Sequence, residues 1–366
     1  MLRRVLVPLL ALLLTGAVAT PAAQASGPGD LLDQHRVTAI VPAPVQAWEL
    51  LYQSTSATGK ANAVSGILLV PSIPYPRGPR PLITYAVGTH GIGDQCAPSV
   101  KLQNGTENEV AIISQALYKG WAVVLTDYEG LGTPGVHTYA VGQSEGRAVL
   151  DAARAAYKVP GTGLSSSGPV GVFGYSQGGQ AAAFAGELQG GYAPDLNVVG
   201  VATGGVPADL NAVMKSNDGG AAFGLVLGAA LGLSTAYPDV PFTSVLNTRG
   251  KSTVEKIKGY CTIALGAAAP FSRLRDFVTD PDVVSDPRWQ KRLAENYAGT
   301  IKPKAPVFLY HAQLDELIPL SVGKGLLARY KALGANVTWA EYPLLEHIGG
   351  VSVGGPVAME WLGTKF

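Results

Sequence analysis

Three serines of the chain lie in the pattern G-x-S-x-G, which can place a serine nucleophile on a sharp turn between a strand and a helix. They are Ser144, Ser176 and Ser352. Because the chain has 46 glycines in 366 residues, the surrounding residues must decide among them. Only Ser176 follows an apolar, strand-like run (170–173) and precedes alanines (181–183) that suit a helix packed closely on a sheet. Ser144 is expected to cap a helix, and Ser352 lies beyond the last predicted strand. We therefore predict that Ser176 is the nucleophile.

A serine nucleophile requires a base, and the base requires an acid that orients it. In the α/β-hydrolase order, the acid and then the histidine follow the serine along the chain. Asp315 and His347 each come just after a predicted strand, and we predict that they are the acid and the base. Glu316 is the alternative acid. His311 is interpreted as structural support for the acid loop.

An acyl-transfer reaction also requires two backbone N–H donors that stabilise the oxyanion. The amide of Gln177, directly after the nucleophile, is the first expected donor. The second is expected in the glycine-flanked segment 88–91 after a predicted strand, where we favour the amide of His90. The alternative is that this segment is an ordinary turn.

Cofactor motifs have little support in this sequence. Gly130, Gly132 and Gly135 match a dinucleotide-binding fingerprint, but Pro134 disfavours a helix at that point and no acidic residue follows at the expected distance. The five histidines are scattered, without the spacing of metal ligands. We predict no cofactor and no metal.

The N-terminus has the pattern of a secretory signal peptide, predicted at residues 1–25 with cleavage after Ala25. Arg3 and Arg4 precede the apolar run 5–14, and small residues end the segment. After it, no apolar stretch is long enough to span a membrane. A content of 47% hydrophobic and 14% charged residues excludes disorder, and a net charge of +1 disfavours nucleic acid as a partner. The protein is expected to be secreted.

Short β-rich runs alternate with longer helix-compatible segments, which predicts an α/β fold with a mainly parallel sheet and helices on both faces. The predicted strands are 64–70, 82–87, 122–126, 170–173, 198–202, 307–310 and 337–342, and the predicted helices are 110–119, 144–158, 180–186 and 322–333. The alternation of strands and helices fails at 206–302, between the predicted strands 198–202 and 307–310. We predict that 26–205 and 303–366 form the core and that 206–302 is an inserted, mostly helical cap.

The apolar run 221–236 within the predicted cap contains no charged residue. It is interpreted as one or two buried cap helices, as a lining for the acyl chain of a lipid substrate, or as both. Transient contact of the cap with a lipid interface is a further expectation. A membrane anchor is disfavoured because Gly224, Gly228 and Gly232 interrupt a short run.

The chain has two cysteines, Cys96 and Cys261, whose expected state depends on whether the protein is exported. In an exported protein a disulfide between them is the expected state, and two unpaired buried thiols are the alternative. The chain-entropy model assigns such a long loop about 4–5 kcal/mol of stabilisation.

Several segments together resemble the secretory lipases of the lipase A type, which occur in yeasts and actinobacteria. The resemblance covers nearly the whole mature chain and rests on the segments 85–86, 96–99, 127–130, 174–178, 197–200 and 315–319. It implies an α/β-hydrolase fold with a helical cap whose Gly-rich segment near 219–238 covers an acyl tunnel. It also implies the triad Ser176, Asp315 and His347, the oxyanion donors His90 and Gln177, and the pair Cys96–Cys261.

The sequence thus predicts an exported serine ester hydrolase, most simply a triacylglycerol lipase or carboxylesterase, with a small-molecule ester or lipid as substrate. Three alternatives stay open at this stage. The same residues suit an acyltransferase, a catalytically silent lipid-binding protein would keep the fold, and a serine peptidase would need acidic cap residues to hold a substrate amine.

Overall fold

A nine-stranded sheet forms the centre of the computed structural model, which describes residues 26–366. The predicted signal peptide and its cleavage site lie outside the described residues. The strands are β1 (Leu31–Val37), β2 (Val45–Thr55), β3 (Ala61–Pro71), β4 (Leu82–Ala86), β5 (Ala122–Thr126), β6 (Val170–Tyr175), β7 (Val198–Gly204), β8 (Val307–Ala312) and β9 (Val337–Tyr342). Their order across the sheet is β1-β2-β3-β5-β4-β6-β7-β8-β9.

The six strands from β5 to β9 across the sheet are parallel, whereas β1, β2 and β3 are joined to it in antiparallel pairs. The mainly parallel sheet is as predicted. β1 and β2 were not predicted from the sequence. β1 is an edge strand with mostly polar residues, and β2 lacks a regular alternation, so neither shows the pattern of a half-buried strand.

Helices cover both faces of the sheet. The α-helices of residues 26–366 are α1 (Pro98–Asn104), α2 (Val110–Tyr118), α3 (Gly142–Ala156), α4 (Gln177–Tyr192), α5 (Leu210–Asn217), α6 (Phe223–Ala236), α7 (Thr248–Ile257), α8 (Thr262–Gly266), α9 (Pro287–Glu295), α10 (Leu320–Ala332) and α11 (His347–Gly363). Neighbouring residues of a strand point to opposite faces. Thr84 accordingly donates to the carbonyl of Val149 in α3, while Tyr85 donates to Glu109 next to α2.

Five helices, α5–α9, lie between β7 and β8, which are neighbours in the sheet. Buried side chains of these helices and of the segments between them contribute to a second apolar cluster, separate from the main core, that includes Phe223, Leu265, Phe277 and Trp289. This arrangement supports an insertion at 206–302, and we keep that segment as the proposed cap.

The apolar run of the proposed cap forms a single helix, α6. Its glycines allow close packing, because a Cβ on Gly224 would lie 1.8 Å from the carbonyl oxygen of Leu265 and one on Gly232 would lie 2.3 Å from that of Tyr139. Within residues 26–366, no helix has both the length and the apolar character required to cross a bilayer.

A disulfide joins Cys96 to Cys261, with the two Cα atoms 5.4 Å apart. It is supported by backbone hydrogen bonds, from Ile92 N to the carbonyl of Tyr260 (2.8 Å) and from Thr262 N to that of His90 (3.0 Å). The proposed cap is therefore fastened to the loop that follows β4.

Candidate active site

Ser176 lies on the turn between β6 and α4, with φ 60° and ψ −122°. A positive φ is unfavourable for a residue with a Cβ, so the surrounding contacts must hold this conformation. The flanking glycines permit it: a Cβ on Gly174 would lie 2.0 Å from the carbonyl oxygen of Gly178, and one on Gly178 would lie 2.0 Å from that of Ala86. The serine thus extends from the carboxyl end of a central strand into a cavity.

A chain of hydrogen bonds links Ser176, His347 and Asp315. The imidazole Nε2 of His347 lies 2.9 Å from Ser176 Oγ, and its Nδ1 lies 2.8 Å from Asp315 Oδ2. Asp315 Oδ1 accepts hydrogen bonds from the backbone N–H groups of Leu317 (3.1 Å) and Ile318 (2.7 Å). This geometry permits His347 to accept the serine proton while a fixed carboxylate orients its ring.

His347 is also held through its backbone at the first residue of α11. Its N–H donates to Glu316 Oε2 (3.0 Å), and its carbonyl accepts from the hydroxyl of Tyr175 (2.7 Å). Glu316, the alternative acid, therefore contacts the backbone of His347, whereas Asp315 contacts the ring.

His311 lies beneath the acid loop, fully buried. Its Nε2 lies 2.8 Å from the carbonyl oxygen of Ile318 and 3.6 Å from Asp315 Oδ2. Burial lowers the pKa of His311 below its ordinary value, so the ring is neutral at neutral pH and donates to the carbonyl. These contacts support the structural role predicted for His311.

The two expected oxyanion donors lie in the lining of the same cavity as Ser176. Gln177 is the first residue of α4, where a backbone N–H has no partner within the helix. In the loop after β4, the N–H of Gly88 donates to Glu109 Oε1 (2.6 Å), but that of His90 has no protein acceptor within residues 26–366.

The side chain of Gln177 belongs to a buried polar cluster behind the nucleophile. Its Nε2 lies 2.8 Å from Glu145 Oε1 and 2.9 Å from His137 Nε2. Burial raises the pKa of Glu145 to about 8 and lowers that of His137 to about 4, so both are uncharged at pH 7. Sequence reasoning missed this cluster, because nothing in the sequence pattern joins Glu145 and His137 to Gln177.

The other two serines of the G-x-S-x-G pattern lie elsewhere. The expectation that Ser144 caps a helix is wrong, because Val141 is the N-cap of α3. Ser144 lies in the first turn of that helix, and its buried hydroxyl donates to the side chain of Glu129, which precedes the helix. Ser352 is on α11, where its hydroxyl donates to the carbonyl of Ile348 (2.9 Å).

The cavity at Ser176 has a volume of about 540 Å³. One side of α6 contributes Val226, Ala229 and Leu233 to its wall, while the glycines of that helix pack against other residues. Further apolar side chains complete the lining, among them Leu210, Val213, Phe242, Val278, Trp289 and Leu293. A cavity of this size and character can take an alkyl chain.

The fold and this site define an α/β hydrolase: a mainly parallel sheet between helices, with a strained serine on the turn after a central strand. Comparison with protein families narrows the class. Residues 98–366 match the family model described as Secretory lipase. The chain belongs to the secretory lipase family.

Two similar proteins illustrate the range of this family. Lipase 5 of Candida albicans is 30% identical over 366 aligned positions, which cover 92% of this chain and 77% of the relative. A protein of Mycobacterium tuberculosis is 31% identical, with 89% and 75% covered, and bears the name "Probable inactive lipase". Family membership by itself therefore does not establish activity.

Among solved structures, Candida antarctica lipase A in its closed state superposes with a TM-score of 0.83 at 27% identity, covering 93% of this chain and 82% of that one. The rice cell wall degrading esterase LipA of Xanthomonas oryzae gives a TM-score of 0.78 at 20% identity, covering 93% and 100%. The second likeness bears on the fold alone. The lipase relatives and the family model indicate carboxylic ester hydrolysis as the class of chemistry.

Proposed function

We propose that this chain is an exported serine ester hydrolase with triacylglycerol lipase as its specific activity. The observation that carries the proposal is the hydrogen-bonded series Ser176–His347–Asp315 at the mouth of an apolar cavity. Neither of the other serines in the same motif has a histidine partner among the described hydrogen bonds.

In the proposed reaction, Ser176 Oγ attacks the ester carbonyl while His347 Nε2 takes its proton. His347 then protonates the departing alcohol, and Asp315 keeps the ring in the required tautomer and stabilises its cation. A water molecule, deprotonated by His347, attacks the acyl-enzyme and releases the carboxylic acid. The amides of His90 and Gln177 are the proposed donors to the oxyanion, and one such donor supplies about 3 kcal/mol.

The proposed substrate has a long apolar acyl group. The side of α6 that faces the cavity offers Val226, Ala229 and Leu233, with no charged residue in the helix. Burial of each methylene of an alkyl chain there would contribute about 0.8 kcal/mol. We propose that residues 206–302 act as a cap over the acyl chain of the substrate and make transient contact with a lipid interface.

Export is part of the proposal. It is supported by the secretory family, by the disulfide between Cys96 and Cys261, and by the predicted signal peptide at 1–25 with cleavage after Ala25. Mass spectrometry of the N-terminus of protein recovered from the medium tests the cleavage site.

The test of the activity is hydrolysis of p-nitrophenyl esters from acetate to palmitate by the mature chain. We expect a maximum at medium or long chains, and a loss of about 10⁶-fold in kcat in Ser176→Ala. Ser252→Ala is the matched control, because Ser252 is exposed on α7 and does not line the cavity, and it should retain wild-type rates. Activity of Ser176→Ala above about one part in 10³ of wild type would contradict the assignment.

A catalytically silent lipid-binding protein is the second candidate, favoured by the "Probable inactive lipase" name of one relative. A fluorophosphonate probe separates the two candidates, because it reacts with an activated serine and not with an ordinary one. We expect stoichiometric labelling at Ser176; no labelling of the folded protein would favour the silent candidate.

A further inference from the structure

The residue His90 lines the cavity at Ser176, and the proposed mechanism leaves its side chain unused. Only its backbone N–H has a role there. The imidazole is 5% exposed and lies against the carboxylate of Glu107, which is 1% exposed. A buried pair of this kind is costly unless its hydrogen bonds are complete.

Both ring nitrogens of His90 face hydrogen-bond acceptors. Nδ1 lies 2.9 Å from the carbonyl oxygen of Gly88, and Nε2 lies 2.8 Å from Glu107 Oε2. A neutral imidazole has one N–H and one lone pair, so with an ionised Glu107 one nitrogen would face an acceptor without a proton. The doubly protonated ring satisfies both contacts.

This pair belongs to a closed circuit of hydrogen bonds between two segments. Glu107 Oε1 accepts from the N–H of Glu109 (2.9 Å), and Glu109 Oε1 accepts from the N–H of Gly88 (2.6 Å). Gly88 in turn accepts from His90, which donates to Glu107. The loop at 88–90 is thereby fixed to the residues that precede α2.

We propose that His90 is a positioning residue: its imidazolium, held between the Gly88 carbonyl and the Glu107 carboxylate, fixes the loop that carries the second oxyanion donor. This inference rests on the proposed hydrolase function. Loss of the ring proton would break one contact of the circuit and loosen the donor. The expected signature is a fall in kcat with little change in KM, since the donor acts mainly on the transition state.

The charges around the ring favour the cation. Burial by itself lowers the pKa of His90, but the hydrogen bond and charge of Glu107, followed by the charge of Glu109 and the Gly88 carbonyl, outweigh it and raise the pKa to about 9. The other titratable neighbour, His137, is neutral because burial lowers its pKa to about 4. The ring is therefore charged at neutral pH. The contact that needs its second proton is lost as the pH rises through about 9.

The first test is nuclear magnetic resonance of the mature wild-type chain labelled with ¹⁵N-histidine. The resonances of His90 are assigned by their absence in His90→Gln. We expect both ring nitrogens to carry protons at pH 7.5 and to titrate near pH 9, whereas the buried His311 is neutral. A single protonated nitrogen on His90 at pH 7.5 would overturn the proposal. This readout needs no substrate, so it does not depend on ester hydrolysis.

The second test compares the pH dependence of kcat in wild type and Glu107→Gln. The amide oxygen of the glutamine can still accept from His90 Nε2 but carries no charge, while its NH2 group then replaces the acceptor of the Glu109 N–H. Without the charge, the alkaline fall in kcat should move to lower pH by about one unit or more. In His90→Gln, kcat should be lower by up to about tenfold at all pH values, and KM should stay within about twofold of wild type. His35→Gln is the matched control, since His35 pairs with Glu49 on the exposed edge of the sheet, and its profile should equal wild type.

The outcomes are distinct. An active Glu107→Gln whose pH profile coincides with wild type removes the positioning role and leaves the hydrolase proposal intact. A wild-type chain without Ser176-dependent hydrolysis removes the proposed function and the positioning role with it, while the protonation of His90 is still decided by the spectra.

Discussion

The hydroxyl of Tyr175 donates a 2.7 Å hydrogen bond to the carbonyl oxygen of His347, so the last residue of β6 holds the first residue of α11. Ser176 follows Tyr175 directly. The nucleophile and the proposed base are therefore positioned by one side chain as well as by their own contact. The ring of Tyr175 also lies 5.0 Å from that of His347, which limits its movement.

We expect Tyr175→Phe to lower kcat by about two- to tenfold, the range spanned by one hydrogen bond of about 0.5–1.5 kcal/mol. Its ring packing would be retained, so the loss reports the hydroxyl. Tyr157→Phe is the matched control, because that hydroxyl donates to the carbonyl of Gly168 away from the cavity. Steady-state kinetics on one ester decide; equal rates in the two variants would mean that the Tyr175 contact does not position His347.

Asp315→Asn and Glu316→Gln separate the two neighbouring acids. Loss of the Asp315 charge removes the carboxylate that orients the His347 tautomer, and kcat should fall by about 10⁴-fold. Glu316→Gln keeps an oxygen that can accept from the backbone N–H of His347, so its loss should stay below about tenfold. Rates measured at one pH on the same ester compare them; the opposite ranking would assign the acid to Glu316.

Ala229→Phe should shorten the preferred acyl chain, because its ring would occupy the part of the cavity beside α6. We expect hydrolysis of palmitate esters to fall by about tenfold or more relative to acetate. Thr235→Phe adds the same ring at an exposed position of the same helix and should leave the chain-length profile unchanged. An unchanged profile in Ala229→Phe would mean that the acyl chain lies elsewhere.

Glu145→Gln should change the pH dependence of stability. Burial raises the pKa of Glu145 from 4.5 to about 8, so the folded state keeps a proton that the unfolded chain loses. The free energy of unfolding of wild type therefore decreases between about pH 4.5 and pH 8 through this group. Glu145→Gln removes this pH dependence. The free energy of unfolding of the variant minus that of wild type should therefore be at least about 1 kcal/mol larger at pH 8 than at pH 5.

Urea unfolding at the two pH values measures this difference in the free energy of unfolding. Glu255→Gln, on the exposed surface of α7, is the control and should show the same difference from wild type at both pH values. A parallel shift of Glu145→Gln at pH 5 and pH 8 would show that Glu145 is ionised in the folded state.

The parallel sheet and the serine of the turn could be predicted because they depend on local patterns. β4–β8 are mostly apolar runs bounded by turn residues, and Ser176 follows one of them. Asp315 and His347 required only the order of the chain and the expectation that loops after parallel strands meet at one edge. The contact of His347 with Ser176 and with Asp315 then follows from the topology.

α11 could not be predicted in the same way. It contains several glycines and Pro356, which have low helix propensity, so the sequence gives no strong local signal. Its glycines instead serve tertiary packing: a Cβ on Gly354 would lie 2.6 Å from the ring of Tyr310, and one on Gly355 would lie 2.6 Å from Ile112. Burial against the sheet overrides propensity here.

The buried polar clusters were also beyond sequence reasoning. His90 and Glu107 are separated by 17 positions, and Glu145 and Gln177 by 32, with no motif that joins them. The first pair joins the loop after β4 to the segment before α2, and the second joins the start of α3 to the start of α4. Such contacts are set by the fold and not by spacing along the chain.

The disulfide between Cys96 and Cys261 restricts how the helical insertion can move. With the two Cα atoms 5.4 Å apart and the flanking backbone hydrogen-bonded, this point has almost no freedom of translation. A rigid movement of the insertion would be limited at this point to rotation, with displacements that grow with distance from the disulfide. Thr262, next to Cys261, donates to the carbonyl of His90, so this fixed point lies directly beside the loop of the proposed oxyanion donor.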